Sequence, residues 1–285
     1  MRTETMNRAQ YRRVQEQKRR KAIRRRRIRR IRMGCRMVFA VVLAGICIKL
    51  LGVLGLFQAA EEILPFFAGK EDEEINAILE DASAYPPELL EALQRNPELL
   101  EFVKGYPESD GRVAGGLSQE ELSEEFPLLL QYDGRWGYAS FGDDNIALSG
   151  CAPACLSMVA VALTGNSEVS PDVVADYAMD QGYYQAGVGT MWSLMTQGAE
   201  AFGVQGREIN LDRNVVFSEL EAGHPIICSM RPGDFTTTGH FIVLTKAQDG
   251  MISVNDPFSR ERSSRLWDYE TLEYQIKNLW SFTAL

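Results

Sequence analysis

Cysteine and histidine are scarce in this chain of 285 residues, which holds five of the first and two of the second. Neither a CxxC pair nor an HExxH pattern occurs, and two histidines are too few for a His-rich metal centre. Cys35 and Cys47 lie in or beside an apolar N-terminal run. The other three, Cys151, Cys155 and Cys228, share no repeated spacing, which excludes a disulfide framework and a zinc site. A Walker A sequence is missing too, and Gly187-Val188-Gly189 is a lone GxG that reads as a loop. No cofactor and no metal is expected.

Basic residues are also scarce over most of the length. The net charge is −9, yet sixteen of the 30 Lys and Arg fall within residues 1–36, against two acidic residues there. The rest of the chain holds fourteen basic and 37 acidic side chains. So steep a split marks two environments rather than one uniform surface. The basic segment 1–36 suits either a nucleic-acid arm or a topogenic signal, and the neighbouring segment decides between them. Met37 to Phe57 is mostly apolar, interrupted only by Lys49, and has about the 20 residues that a bilayer span needs. It exceeds a signal-peptide core, and no clear small-x-small cleavage site comes after it. Glu61, Glu62, Asp72, Glu73 and Glu74 flank its far side. The positive-inside rule then places the N-terminus in the cytoplasm and everything beyond residue 58 outside. Residues 37–58 are therefore expected to be a single transmembrane helix holding the chain in the cell membrane, with no nucleic-acid partner.

Residues 59–125 read as an acidic connector with short helical pieces, either a solvated stalk or a small helical cap. Helices are expected from Pro86-Pro87-Glu88 and from Pro97-Glu98, each with proline and acid in its first turn. Residues 126–285 have the character of a compact globular domain. A helix is expected over Thr190–Phe202, with Thr190 as cap and Gly203 as stop. Strands are expected at 225–230, 239–245 and 251–256. Helices first and an antiparallel sheet afterwards make an α+β domain.

The sequence from Ser149-Gly150-Cys151 to Gly165 predicts a tight turn leading into a buried helix. Pro153 sits in the first turn, residues 156–163 are almost wholly apolar, and Gly165 supplies a left-handed stop. Cys151 thus stands at a helix N-terminus, where orphan N–H groups and the dipole favour a thiolate. Cys155, one turn deeper, and Cys228, in a strand, read as inert packing. The Asp249-Gly250 pair is a strong hairpin signal. Pairing about it sets Asp256 opposite a residue between positions 241 and 243, within a few residues of His240. A histidine and a carboxylate at one end of a hairpin can serve a cysteine nucleophile as base and orienter. His224, before a strand, reads as a turn histidine.

Four motifs then carry a resemblance: Gln131-Tyr132-Asp133-Gly134-Arg135-Trp136-Gly137, Cys151-Ala152-Pro153-Ala154-Cys155, Gly239-His240-Phe241-Ile242-Val243-Leu244 and Asn255-Asp256-Pro257. Together, in this order, they resemble the bacteriocin-processing (double-glycine leader) peptidases, family thirty-nine of the papain-like cysteine peptidases, over roughly residues 126–285. The opening motif is similar to that of the family's stand-alone, non-transporter branch. The resemblance implies a papain-like fold and peptide or protein substrates. It also implies Cys151 as nucleophile, His240 as base, Asp256 as orienter and Gln131 as oxyanion-hole amide. Ala152 stands where the family usually has glycine, and Asn145 is a second candidate for the hole. The expectation is a membrane-anchored, extracytoplasmic cysteine peptidase; the alternative is a non-catalytic peptide-binding module on the same fold.

Overall fold

The structure is a computed structural model that describes residues 69–285. The basic segment 1–36 and the expected transmembrane helix 37–58 lie outside the described residues. Among the described residues no helix is long and apolar enough to cross a membrane. Glu71–Leu285 forms one compact unit.

Residues 69–80 are helical. Helix α1 comes next at Pro87–Arg95, and a 3-10 turn at Pro97–Leu99 leads into α2, Leu100–Gly105. Pro87 and Glu88 open α1 and Arg95 closes it, so both ends complement the backbone dipole. Leu89, Ala92 and Leu93 recur at helical spacing and are buried. With Leu99, Phe102 and Val103 they meet Leu130, Tyr132 and Ala147 in one apolar cluster. Of the two forms open to the connector, this stretch takes the helical cap, packed on the domain rather than standing off it.

The core is built on α3, Cys151–Thr164. Its residues Ala152 to Val161 are all buried, and Gly165 ends it with φ 68° while donating to the Val161 carbonyl. A second helix, α4 (Pro171–Asp180), packs beside it. The sheet has six antiparallel strands: β1 Val204–Glu208, β2 Ile226–Met230, β3 His240–Gln248, β4 Met251–Asn255, β5 Leu266–Asp268 and β6 Ile276–Ala284. Their spatial order is β1-β6-β2-β3-β4-β5. Successive residues of β3 serve opposite faces, as strand geometry requires. Phe241 and Val243 pack in the cluster with α3, while Ile242 and Leu244 pack in a second cluster with α5, Arg213–Glu221. The sheet is therefore covered on both sides, which explains why β2 and most of β3 are buried throughout.

The hairpin forms in the expected register. Val243 pairs with Asn255 and Leu244 with Val254, and after a one-residue bulge Gln248 pairs with Met251. Asp249 (φ 50°) and Gly250 (φ 74°) are both left-handed, the requirement of a two-residue I′ turn. The helix expected over Thr190–Phe202 does not form. Gly189 and Thr190 pair as a strand, and 3-10 turns succeed it at Trp192–Met195 and Ala199–Phe202. The Met195 carbonyl abuts Gly206 of β1 so closely that a Cβ there would strike it. Packing against that edge strand overrides the helical signal of the sequence.

Candidate active site

Three separate elements bring the expected residues together. Gly150 ends the short helix Ile146–Ser149 and starts α3, so Cys151 is the first residue of the buried helix. Cys151 is half-buried and lines an open cleft with Gln131, His240 and Arg262. Cys155 and Cys228 are fully buried, and burial pushes both thiols up. Ala152 faces the core, where its methyl group is accommodated.

His240 opens β3 at 8% exposure, and Asp256, just past the end of β4, is fully buried. Their side chains meet at 2.7 Å, His240 Nε2 to Asp256 Oδ1. Cys151 lines the same cleft, and its interaction with the imidazole adds to the basicity of the ring. Burial by itself would lower the basicity of the ring. The charge and hydrogen bond of Asp256, joined by the interaction with Cys151, outweigh it and hold His240 up at about 10. For Asp256, burial works in the opposite direction to its cationic neighbours. His240 and Arg262 prevail and keep the carboxyl below its usual range.

Arg262 is a residue that the sequence reading missed. Its Nε donates to Asp256 Oδ2 at 2.5 Å, and its side chain is 18% exposed. Phe258 N donates to Asp256 Oδ1 at 2.8 Å, and Asp256 N donates to Ser263 Oγ at 2.9 Å. The carboxylate is thus held on both oxygens. Nothing in the sequence marks Arg262, six positions beyond Asp256 in a one-turn helix, α6 (Arg260–Ser263). An Asp-Pro pair announces a turn but not which later side chain folds back on it.

Gln131 is 2% exposed, and its backbone N–H donates to Pro257 O at 2.8 Å, next to Asp256. Its Nε2 donates to Ala147 O at 2.7 Å and retains a second proton, while Oε1 has no partner. Asn145 does not line the cleft; its Oδ1 caps the Ile146–Ser149 helix by accepting from Leu148 N at 3.0 Å. His224 sits in the turn before β2 with Nδ1 on Glu219 at 3.0 Å, remote from this cleft.

A buried helix led by a cysteine and packed on an antiparallel sheet is the architecture of the papain-like cysteine peptidases. The profile of the Peptidase_C39 like family matches residues 123–283, and the chain belongs to that family. Among solved structures the chain is similar to the peptidase domain of Streptococcus ComA, a bi-functional ABC transporter involved in a quorum sensing pathway. That likeness is 19% identical, with a TM-score of 0.37, and covers 48% of this chain and 92% of the other. No match is found among the curated proteins.

Proposed function

We propose that the protein is a cysteine peptidase acting through Cys151, His240 and Asp256. The observation that carries this reading is that Cys151 and His240 share one cleft while His240 Nε2 is held at 2.7 Å by the fully buried Asp256. Cys151 passes its proton to His240, and the thiolate attacks the carbonyl carbon of a peptide bond. The oxyanion is held by the Cys151 backbone N–H and the second Nε2 proton of Gln131; Asn145, which does not line the cleft, is left out of the hole. As the C–N bond breaks, His240 gives its proton to the leaving amine. Water, deprotonated by His240, then attacks the thioester, releasing the acid product and restoring the thiol. Asp256 keeps the ring oriented and stabilises its charged form.

Residues 37–58 would anchor the enzyme in the cell membrane, with residues 1–36 in the cytoplasm and the peptidase domain outside. The charge split and the apolar run support this topology. It predicts that the chain stays with membranes after alkaline extraction and that protease added outside intact cells degrades residues 126–285; a chain released by alkali refutes the anchor.

The chemical reading is tested by alkylating the whole chain with iodoacetamide across pH and mapping the labelled peptides. Cys151 is expected to react fast well below the ~8.5 of a free thiol, and His240→Ala to abolish this. If Cys151 reacts no faster than Cys155 or Cys228, the peptidase reading fails and a peptide-binding module becomes the better description.

A further inference from the structure

The helical cap lies outside the stretch matched by the family profile, yet it holds the loop that carries Asp256 and Arg262. Glu98, in the turn between α1 and α2, is the centre of that contact. Its Oε1 accepts from Ser259 Oγ at 2.7 Å and from Glu261 N at 3.2 Å. Its Oε2 accepts from Arg260 N at 2.7 Å and from Tyr132 Oη at 3.0 Å. Two residues earlier, Asn96 Nδ2 donates to Phe258 O at 2.5 Å. Every residue from Phe258 to Glu261 is therefore tied to the cap. This segment joins Asp256 to Arg262, which closes back on the Asp256 carboxylate. Arg95 makes a further link, donating to Thr237 Oγ1 at 3.1 Å in the loop that runs into His240.

We propose that Glu98 is a positioning residue for the catalytic site: by fixing Phe258–Glu261 it sets the Arg262–Asp256 pair, and through it the orientation of His240 toward Cys151. The proposal rests on the peptidase reading above. Glu98 touches no reacting atom; it acts through the loop. A carboxylate is the group that suits this place, because all four of its neighbours are donors and a carboxylate is acceptor-only with two oxygens. Glutamine has the same shape but replaces one oxygen by an NH2 group, which would face donors.

The test compares the unchanged full chain with Glu98→Gln, scoring the pH profile of Cys151 alkylation beside the thermal unfolding midpoint. Titratable or charged groups around the loop and the cleft are Arg95, Tyr132, Asp234, Arg260, Glu261, Arg262, Asp256, His240 and Cys151, and Glu98→Gln leaves each of them in place. The expected result is a folded variant whose alkylation midpoint moves up by about one pH unit, so that the rate at pH 6 falls about tenfold. A purely structural contact would lower the unfolding midpoint and leave the pH profile of the folded protein where it was, and that outcome overturns the positioning role. Should Glu98→Gln fail to fold, Asn96→Ala loosens the same loop by removing the bond to Phe258 O and the cap on Glu98 N, and must shift the profile in the same direction. An unreactive Cys151 in the unchanged chain is a different failure: it removes the peptidase reading, and the positioning role goes with it.

Discussion

Asp256 has no exposed surface and lies between two cations, so its environment decides what its neighbours are worth. Removing one partner of a buried ion pair costs far more than the pair contributes, because a bare charge is left behind. Arg262→Met is thus expected to destabilise the fold by about 3 kcal/mol or more, read as a lowered midpoint in denaturant titration; an unchanged midpoint would show that water already satisfies Asp256. The His240 pair sets a pH dependence of defined sign. Its folded value is about 10, against about 6.5 for an unfolded histidine. A raised value means stability that is complete below about 6.5, declines through the interval and is gone above about 10. The midpoint difference between the unchanged chain and His240→Asn should shrink as pH rises from 6 to 10, and a difference that widens would reverse the assignment of charge. Cys151, His240 and Asp256 stand out in the sequence because each sits beside a local signal: a helix start, a strand start, an Asp-Pro turn. Arg262 and Glu98 carry no such signal. Glu98 meets three of its four partners from 161 to 163 positions away, and no local pattern records a contact of that span.

At the level of elements, legibility tracks how much of the conformation is decided locally. The β3–β4 hairpin is readable because Asp249 and Gly250 fix its turn, and the turn sets the register as far as the one-residue bulge beyond Lys246. Helix α3 is readable because its apolar run and Gly165 agree. The stretch 190–202 is not: its caps suggest one helix, but the close approach of Met195 to Gly206 belongs to the tertiary fold. The junction before α3 shows how tightly an element end can be built. A Cβ on Gly150 would lie 2.5 Å from both the Ile146 carbonyl oxygen and its Cγ2. Relief requires Ile146 or the turn itself to move, and Cys151 is the next residue of that turn. Gly150→Ala is therefore expected to cost ~1–3 kcal/mol as an overpacked site. It should also slow Cys151 alkylation in molecules that remain folded. Wild-type reactivity in a folded Gly150→Ala chain would mean that the thiol position does not depend on this turn.

At the scale of the molecule, the unit that folds is larger than the unit that the family profile matches. The acidic character of the connector hid this, because Glu88, Glu91 and Glu101 occupy the outside of helices whose inner faces are Leu89, Leu93, Leu99 and Phe102. Those side chains cover Leu130, Tyr132 and Ala147, residues that a domain beginning near position 123 would leave facing water. Each large apolar side chain returned to water costs ~1.5–3 kcal/mol, against a total stability of roughly 5–15 kcal/mol for a folded domain. A fragment of residues 123–285 is accordingly expected to unfold at a clearly lower temperature than one of residues 71–285. The same cut removes Glu98 and Asn96 from the loop behind Asp256, so two effects coincide and need separate measurements. Alkylation of the fragment at low temperature, where its folded population is greatest, isolates the second. Slow labelling of Cys151 in a fragment that still shows native-like tertiary signals would assign the cap a part in the chemistry as well as in the fold. Equal melting of the two fragments would instead mean that the cap merely rests on a domain complete without it.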